Sequence, residues 1–341
     1  MPRLVVVSYR LGAHDGVSIE AAKWVAAFRR LGHDVTTVAG DGVADVVLPG
    51  LAMHATQPLA SGDLERILEG ADAVVVENVA SLPFNVVARD ALYDVLTGRR
   101  ALFHHHDLAW QRPAWLNEPP PRDSPTWRHV TINDLSRDQL ATRGVKAVTV
   151  RNTFDCDPPP GRREPTRRAL SLEGERLIAF PSRVIPRKNV EGALSLADSL
   201  DAVLWIVGDA EDGYDSALER LLAASNVATR RGLPGGADIH DVYAAADLVV
   251  VPSTWEGFGN PVLESVTHRR PLAVYPYPAL REILAFGFTF FDLGDVAGVE
   301  RFLCEPDPAL FSHNAAIARA HFNLTDLPGR LAPVLRDVGI E

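Results

Sequence analysis

Short apolar runs rich in β-branched residues alternate with longer amphipathic stretches along the whole chain, and this alternation restricts the fold more than any other feature. In the first half, residues 4–8, 35–38, 73–76, 101–104, 129–132 and 147–150 read as strands. Between them, residues 18–31, 63–68, 84–96 and 136–142 read as helices, the first with Ser18 as its N-cap and Gly32 as its stop. The strands are apolar on both faces, the pattern of a parallel sheet covered by helices on each side. The alternation breaks at Asp155, where DCDPPPGRREPTRR has no hydrophobic period. It restarts with strands at 177–180, 203–207, 248–251 and 272–274 and helices near 190–200, 215–224, 240–245, 261–268 and 309–322. The chain is therefore expected to be α/β, with two doubly wound, Rossmann-like domains at 1–155 and 169–322 joined by a linker at 156–168. The last segment, 323–341, is expected to form a helix that packs back towards the first domain. A length of 341 residues suits two such cores. Doubly wound sheets bind ligands at the C-terminal ends of their strands, so the expected site is a cleft between the two sets of strand ends.

Charge narrows the partners. Lys and Arg number 34 against 44 Asp and Glu, a formal charge of −10, which argues against a broad nucleic-acid face but leaves room for a local cationic pocket for one diphosphate. Only Cys156 and Cys304 occur, so a disulfide framework is excluded and a cytoplasmic location is expected. No stretch approaches the roughly 18 apolar residues that would span a bilayer, and no signal-peptide pattern precedes the first strand. The helix at 18–31 carries Lys23, Arg29 and Arg30 beside Trp24 and Phe28, which reads as an ordinary core-facing helix rather than a membrane-binding one.

The densest chemistry is Pro252-Ser-Thr-Trp-Glu256-Gly-Phe-Gly-Asn-Pro-Val-Leu-Glu264, between a strand and a helix starting near Pro261. Gly257 and Gly259 remove side chains where a ligand would approach the backbone, and the helix start aims free N–H groups at it, which suits a phosphate. Glu256 and Glu264, eight apart, can accept hydrogen bonds from sugar and ribose hydroxyls; two solvated acids on a glycine-rich turn are the plainer reading. After the strand at 177–180, Arg183 and Lys188 stand five apart around a proline turn. Two cations so placed can steady the charge on a departing nucleotide diphosphate without a metal, although single basic residues are common in any surface loop.

These segments resemble the donor site of the retaining glycosyltransferases of family 4, which have the two-domain GT-B fold. Arg183, Lys188, Glu256, Gly257, Phe258, Gly259 and Glu264 carry the resemblance. Ile206-Val-Gly208-Asp209, Arg231-Gly232-Leu233 and Tyr243-Ala-Ala-Ala-Asp247 support it. It implies that Arg183 and Lys188 hold the diphosphate and act in catalysis, that Glu264 holds the ribose, and that Glu256 with the backbone of Phe258, Gly259 and Asn260 holds the transferred sugar. Gly232 and Leu233 would also lie on the donor side. Two departures stand out: Arg269 where glycine is common, and Pro278-Ala279 in place of a glycine pair before Glu282.

In the first half, Phe103-His104-His105-His106-Asp107 closes a strand, and alternation sends His104 and His106 to one face and His105 to the other. Neither a cysteine nor an HExxH pattern accompanies the run, so no metal site is expected. The resemblance makes His106 a catalytic residue near the donor sugar, where it would orient hydroxyls or shuttle a proton, and puts Asp107 on the acceptor side. A buried structural histidine is the alternative. Similarity of the loop after the first strand to the family's glycine loop makes Gly16 a donor contact and His14 and Asp15 acceptor-side residues. The implied activity is retaining, metal-independent and cofactor-free transfer of a hexose from a nucleotide-diphosphate sugar of the GDP-mannose or UDP-glucose type. The acceptor would be a hydroxyl of a soluble small molecule or saccharide. An epimerase acting on nucleotide sugars, or a non-catalytic nucleotide-sugar-binding protein, would carry the same donor motifs.

Overall fold

The computed structural model describes residues 1–341 apart from His14, Asp212 and the side chain of Ser61, so the acceptor-side expectation for His14 lies outside the described residues. The chain forms two compact units, Met1–Thr153 with Leu324–Glu341, and Phe154–Asn323. Each is built on a parallel sheet with helices packed against it, the α/β organisation that the alternation predicts.

The first sheet contains β1 (Arg3–Leu11), β2 (Asp34–Gly42), β3 (Val46–Val47), β4 (Ala73–Glu77), β5 (Ala101–His105), β6 (Trp127–Thr131) and β7 (Ala147–Thr149). Their order is β3-β2-β1-β4-β5-β6-β7. Alternation along β1 sends Leu4 and Val6 to a core with Trp24, Phe28, Leu331 and Leu335, while Val5 and Val7 join Leu64, Leu92 and Leu96 on the opposite face. Burial on both faces is why the strand reads as an unbroken apolar run. The final helix, Leu327–Asp337, belongs to this unit: Leu327, Leu331, Val334 and Leu335 form one helical stripe buried in the same core. The helix Gly16–Arg30 begins earlier than predicted, and its cap is Asp15, not Ser18. The Asp15 Oδ1 accepts from the amides of Val17 and Ser18 at 3.0 Å each, and its Oδ2 from the Ser18 hydroxyl at 2.8 Å.

The second sheet contains β8 (Leu177–Phe180), β9 (Val203–Ile206), β10 (Thr229–Arg231), β11 (Leu248–Val251), β12 (Leu272–Val274) and β13 (Phe291–Asp292), in the order β10-β9-β8-β11-β12-β13. The segment 156–168, read from sequence as a linker, contains most of a helix, Arg163–Ala169. That helix is held by charge, not by an apolar stripe. Arg163 donates to the carbonyls of Ala244, Ala245 and Ala246 at the end of the helix Ile239–Ala245, and Arg167 to Ala245 and to Asp247. Cations suit the carbonyl end of a helix, and such contacts leave no hydrophobic period to read. The short strands β3, β10 and β13 and the helices Leu280–Leu284 and Val296–Cys304 are further elements that periodicity did not resolve. Among the described residues, no helix is long and apolar enough to cross a membrane.

The departure at Arg269 has a local explanation. The helix Asn260–Thr267 ends in a Schellman turn, with Arg269 N–H donating to Val266 and Arg270 N–H to Ser265 at 3.0 and 2.8 Å. That turn needs a left-handed residue, and Arg269 occupies it at φ 53°. A side chain there is strained, so Arg269→Gly should raise stability by up to about 1 kcal/mol. Denaturant unfolding checks this, and a loss of stability would mean that the arginine side chain outweighs its backbone strain.

Candidate active site

The second unit brings Lys188 and Glu256 together through its sheet. Strands β8 and β11 are parallel neighbours, so the loops leaving their C-terminal ends lie side by side. Two contacts join these loops: Thr254 N–H donates to the Arg187 carbonyl at 2.9 Å, and the Asn189 side-chain amide to the Pro252 carbonyl at 3.1 Å. Asn189 takes the left-handed conformation (φ 53°) and caps the helix Val190–Ser199, which turns the chain sharply after Lys188.

Between these loops lies a buried ion cluster. Glu256 is 5% exposed, and its Oε1 accepts from Lys188 Nζ at 2.5 Å, its Oε2 from Arg187 Nη1 at 3.0 Å. Arg187 also donates to the Trp255 carbonyl at 2.7 Å. Burial would push the Glu256 carboxyl up, but the charges of Lys188 and Arg187 overcome it and hold the group at about 2. Burial in turn pushes the Lys188 ammonium below the ordinary lysine value, against the pull of Glu256. The structure does not put Arg183 and Lys188 on a single partner. Arg183 pairs with Glu211 at 2.7 Å on the surface, yet stands near enough for its charge to act on Lys188. Arg187 completes the cluster, and the reading from sequence passed over it because one loop arginine carries no pattern.

Gly208 and Gly259 are glycines for reasons of packing. A Cβ on Gly208 would lie 2.6 Å from the Arg183 backbone, so this glycine lets the loop after β9 lie against the loop that bears Arg183. Gly259, at φ 92°, precedes the helix Asn260–Thr267, and a Cβ there would meet the Tyr277 hydroxyl at 2.1 Å. That hydroxyl donates to the Phe258 carbonyl at 2.8 Å, while the Phe258 ring packs against Phe154 and Phe322. Phe258 therefore offers a ligand its backbone, not its ring. On the same helix Glu264 Oε2 accepts from Tyr243 at 2.6 Å, and the Tyr243 ring stacks on His268. Burial, then the nearby Glu264, push Tyr243 well above its ordinary value, so it stays a hydrogen-bond donor. Gly232, at φ 69°, accepts from the Trp205 indole, and Leu233 beside it is exposed.

In the first unit, β4 and β5 pair with Glu77 opposite His104, so both side chains share a face, and His106 follows two residues on. Glu77 Oε2 accepts from His104 Nδ1 at 2.8 Å and from His106 Nε2 at 2.9 Å. Burial opposes ionisation of Glu77, but the two imidazoles outweigh it and hold the carboxyl at about 2. His105 points to the other face, toward Ser81 and His129, as alternation requires. The ligand atoms of Glu77, His104 and His106 lie within 4.8 Å of one another, a spacing open to a metal ion, and their contacts are of hydrogen-bond length. Glu77 was not singled out from sequence; it ends an apolar run, and only strand register brings it to the histidines. The acceptor-side residues are otherwise engaged: Asp15 caps a helix and Asp107 pairs with Arg112 at 3.0 Å. Gly16 begins that helix with open space where a side chain would stand.

Glu256 has a depressed value, so its contribution to stability is complete above its ordinary 4.5 and is lost as the pH falls toward about 2, at about 1.4 kcal/mol per pH unit. In denaturant unfolding, the advantage of the wild type over Glu256→Gln should therefore shrink through that window. A difference independent of pH would show that the buried carboxyl is not ionised.

Residues 162–298 match the family of glycosyl transferases group 1, a span that holds Arg183, Lys188, Glu256 and Glu264. Over 87% of this chain and 87% of its own length, the mannosylglucosylglycerate synthase of Petrotoga mobilis is 24% identical. That of Thermotoga maritima is also 24% identical, over 95% of this chain and 97% of its own length. Among solved structures, HepE of Anabaena in complex with UDP-glucose superposes with a TM-score of 0.74 at 17% identity, over 98% of this chain and 99% of its own. Residues 162–298 thus match the family of glycosyl transferases group 1, in a chain that folds as two parallel-sheet α/β domains with the GT-B fold of its structural neighbours.

Proposed function

We propose that this glycosyltransferase moves a hexose from a nucleotide-diphosphate sugar to a hydroxyl of a small molecule or saccharide, with retention at the anomeric carbon and without a metal. The observation that carries the reading is the buried Glu256 carboxylate clamped by Lys188 and Arg187 beside the start of the helix Asn260–Thr267. Lysine has three N–H donors, and Lys188 gives one to Glu256, which leaves donors for a phosphate oxygen. Arg183, Arg187 and Lys188 concentrate positive charge around Lys188, and the helix Asn260–Thr267, which begins shortly after Glu256 in the chain, would add the positive end of its dipole. A departing diphosphate gains charge as its bond to the sugar breaks, and fixed cations with oriented amides stabilise that charge.

In this reading Arg183 and Lys188 hold the diphosphate. Glu264, aimed by Tyr243, holds the ribose hydroxyls. Glu256 and the backbone of Gly257, Phe258, Gly259 and Asn260 hold the sugar, and His106 acts on a sugar hydroxyl. Gly16, Gly232 and Leu233 complete the donor contacts. The acceptor oxygen bonds to the anomeric carbon on the face from which the diphosphate leaves, the bond to the phosphate oxygen breaks, and the acceptor hydroxyl gives its proton to the departing diphosphate, with no covalent enzyme nucleophile. The names of the two full-length relatives join mannosyl, glucosyl and glycerate groups, which favours GDP-mannose as the first donor to test, followed by UDP-glucose.

Thermal-shift titration with a panel of nucleotide sugars should single out one donor, and transfer from it should persist in EDTA and give a product of unchanged anomeric configuration. Glu256→Ala and Lys188→Ala should each lower turnover about 10²–10³-fold in a folded protein. Near-normal transfer by either folded variant would refute the assigned roles.

A further inference from the structure

The Glu77 cluster has a built-in direction. A carboxylate held at about 2 is ionised at neutral pH and can only accept, so the protons in its two contacts belong to His104 Nδ1 and His106 Nε2. His104 is fully buried, its ring stacks on Trp24 at 3.8 Å, and its Nε2 has no partner among the described residues, which suits a neutral ring. Burial accordingly lowers its basicity. Trp24 thus fixes the plane of His104, and His104 fixes the oxygen that receives His106. The loop holds His106 from the other side, because Asn78 Oδ1 accepts from the His106 amide at 3.0 Å. Glu20, in the helix Gly16–Arg30, adds a second acid within electrostatic range of His106 and Glu77, and Lys23 pairs with it at 2.6 Å. The other ring nitrogen of His106, Nδ1, has no hydrogen-bond partner among the described residues and is not sealed from solvent.

We propose that Glu77 is a positioning residue that, locked by His104 and Trp24, holds His106 as the Nε2–H tautomer and leaves Nδ1 as an acceptor for a hydroxyl of the donor sugar. The inference rests on the transferase reading for its substrate but not for its geometry. Without Glu77 the His106 ring can rotate or shift its proton to Nδ1, and the acceptor becomes a donor.

Imidazole nitrogen spectra of the ¹⁵N-labelled full chain, with His106→Ala to assign the ring, read the tautomer directly. The wild type should carry the proton on Nε2 at neutral pH, and Glu77→Gln, whose amide donates as well as accepts, should lose that pattern. Turnover of the transferred nucleotide sugar by Glu77→Gln should fall about 10- to 100-fold. A wild-type His106 protonated on Nδ1 overturns the proposal whatever Glu77→Gln shows. So does a Glu77→Gln protein with wild-type spectra or wild-type turnover. Equimolar Zn²⁺ that shifts both the His104 and His106 rings would assign the cluster to a metal and overturn it as well. If the wild type transfers no sugar at all, the transferase reading falls, while the ring spectra still decide the role of Glu77.

Discussion

The parallel pairing of β8 with β11 is the constraint on which the charged site depends. Parallel neighbours release their loops at the same edge of the sheet, so Lys188 and Glu256, 68 residues apart, leave adjacent strands within reach of each other. Burying either charge alone would cost several kcal/mol, and the pair is tolerable only because each supplies the other's counterion. Arg187, itself bonded to the Trp255 carbonyl, leaves the Glu256 carboxylate satisfied on both oxygens. The first unit meets the same problem only on one oxygen: strand register sets Glu77 opposite His104, and two imidazole donors reach its Oε2, while its Oε1 is buried with no partner among the described residues.

Both clusters are held by layers of aromatic side chains behind them. In the second unit Tyr277 braces the Phe258 carbonyl and fills the space that a side chain on Gly259 would need. Tyr243 aims Glu264 and is stacked on His268. In the first unit Trp24 does this for His104. Aromatic rings serve well in this role because they combine large buried area with few rotatable bonds, so a polar group resting on them loses little further freedom when it binds.

Glycine and arginine each stand in this chain for reasons that their usual associations conceal. Gly208 and Gly259 permit close packing of one loop on another and of a turn on Tyr277. At Arg269 a helix-ending turn keeps its left-handed geometry without glycine and accepts the strain. Arg163 and Arg167 belong to a structural contact, where they cap the carbonyl end of a helix. Cationic composition alone does not separate such residues from Arg187, whose partner is the site carboxylate.

Hydrophobic periodicity by itself determined the α/β class and located the longer elements: β8, β11 and β12 span the predicted residues, and the helix Asp215–Ala224 matches its predicted bounds. The reason is that burial on both faces of a parallel strand leaves a continuous apolar run that no surface segment can afford. The motif spacing likewise singled out Lys188, Glu256 and Glu264, because a strand-to-helix turn with glycines imposes local rules on sequence. Elements held by charge, such as Arg163–Ala169, and the short strands β3, β10 and β13 left no such period. Partnership between side chains was decided only in three dimensions. Glu77 with His104, Arg187 with Glu256 and Tyr243 with Glu264 each join residues from different elements. Which of them meet depends on strand order and register, and neither is written in the spacing of residues along one segment.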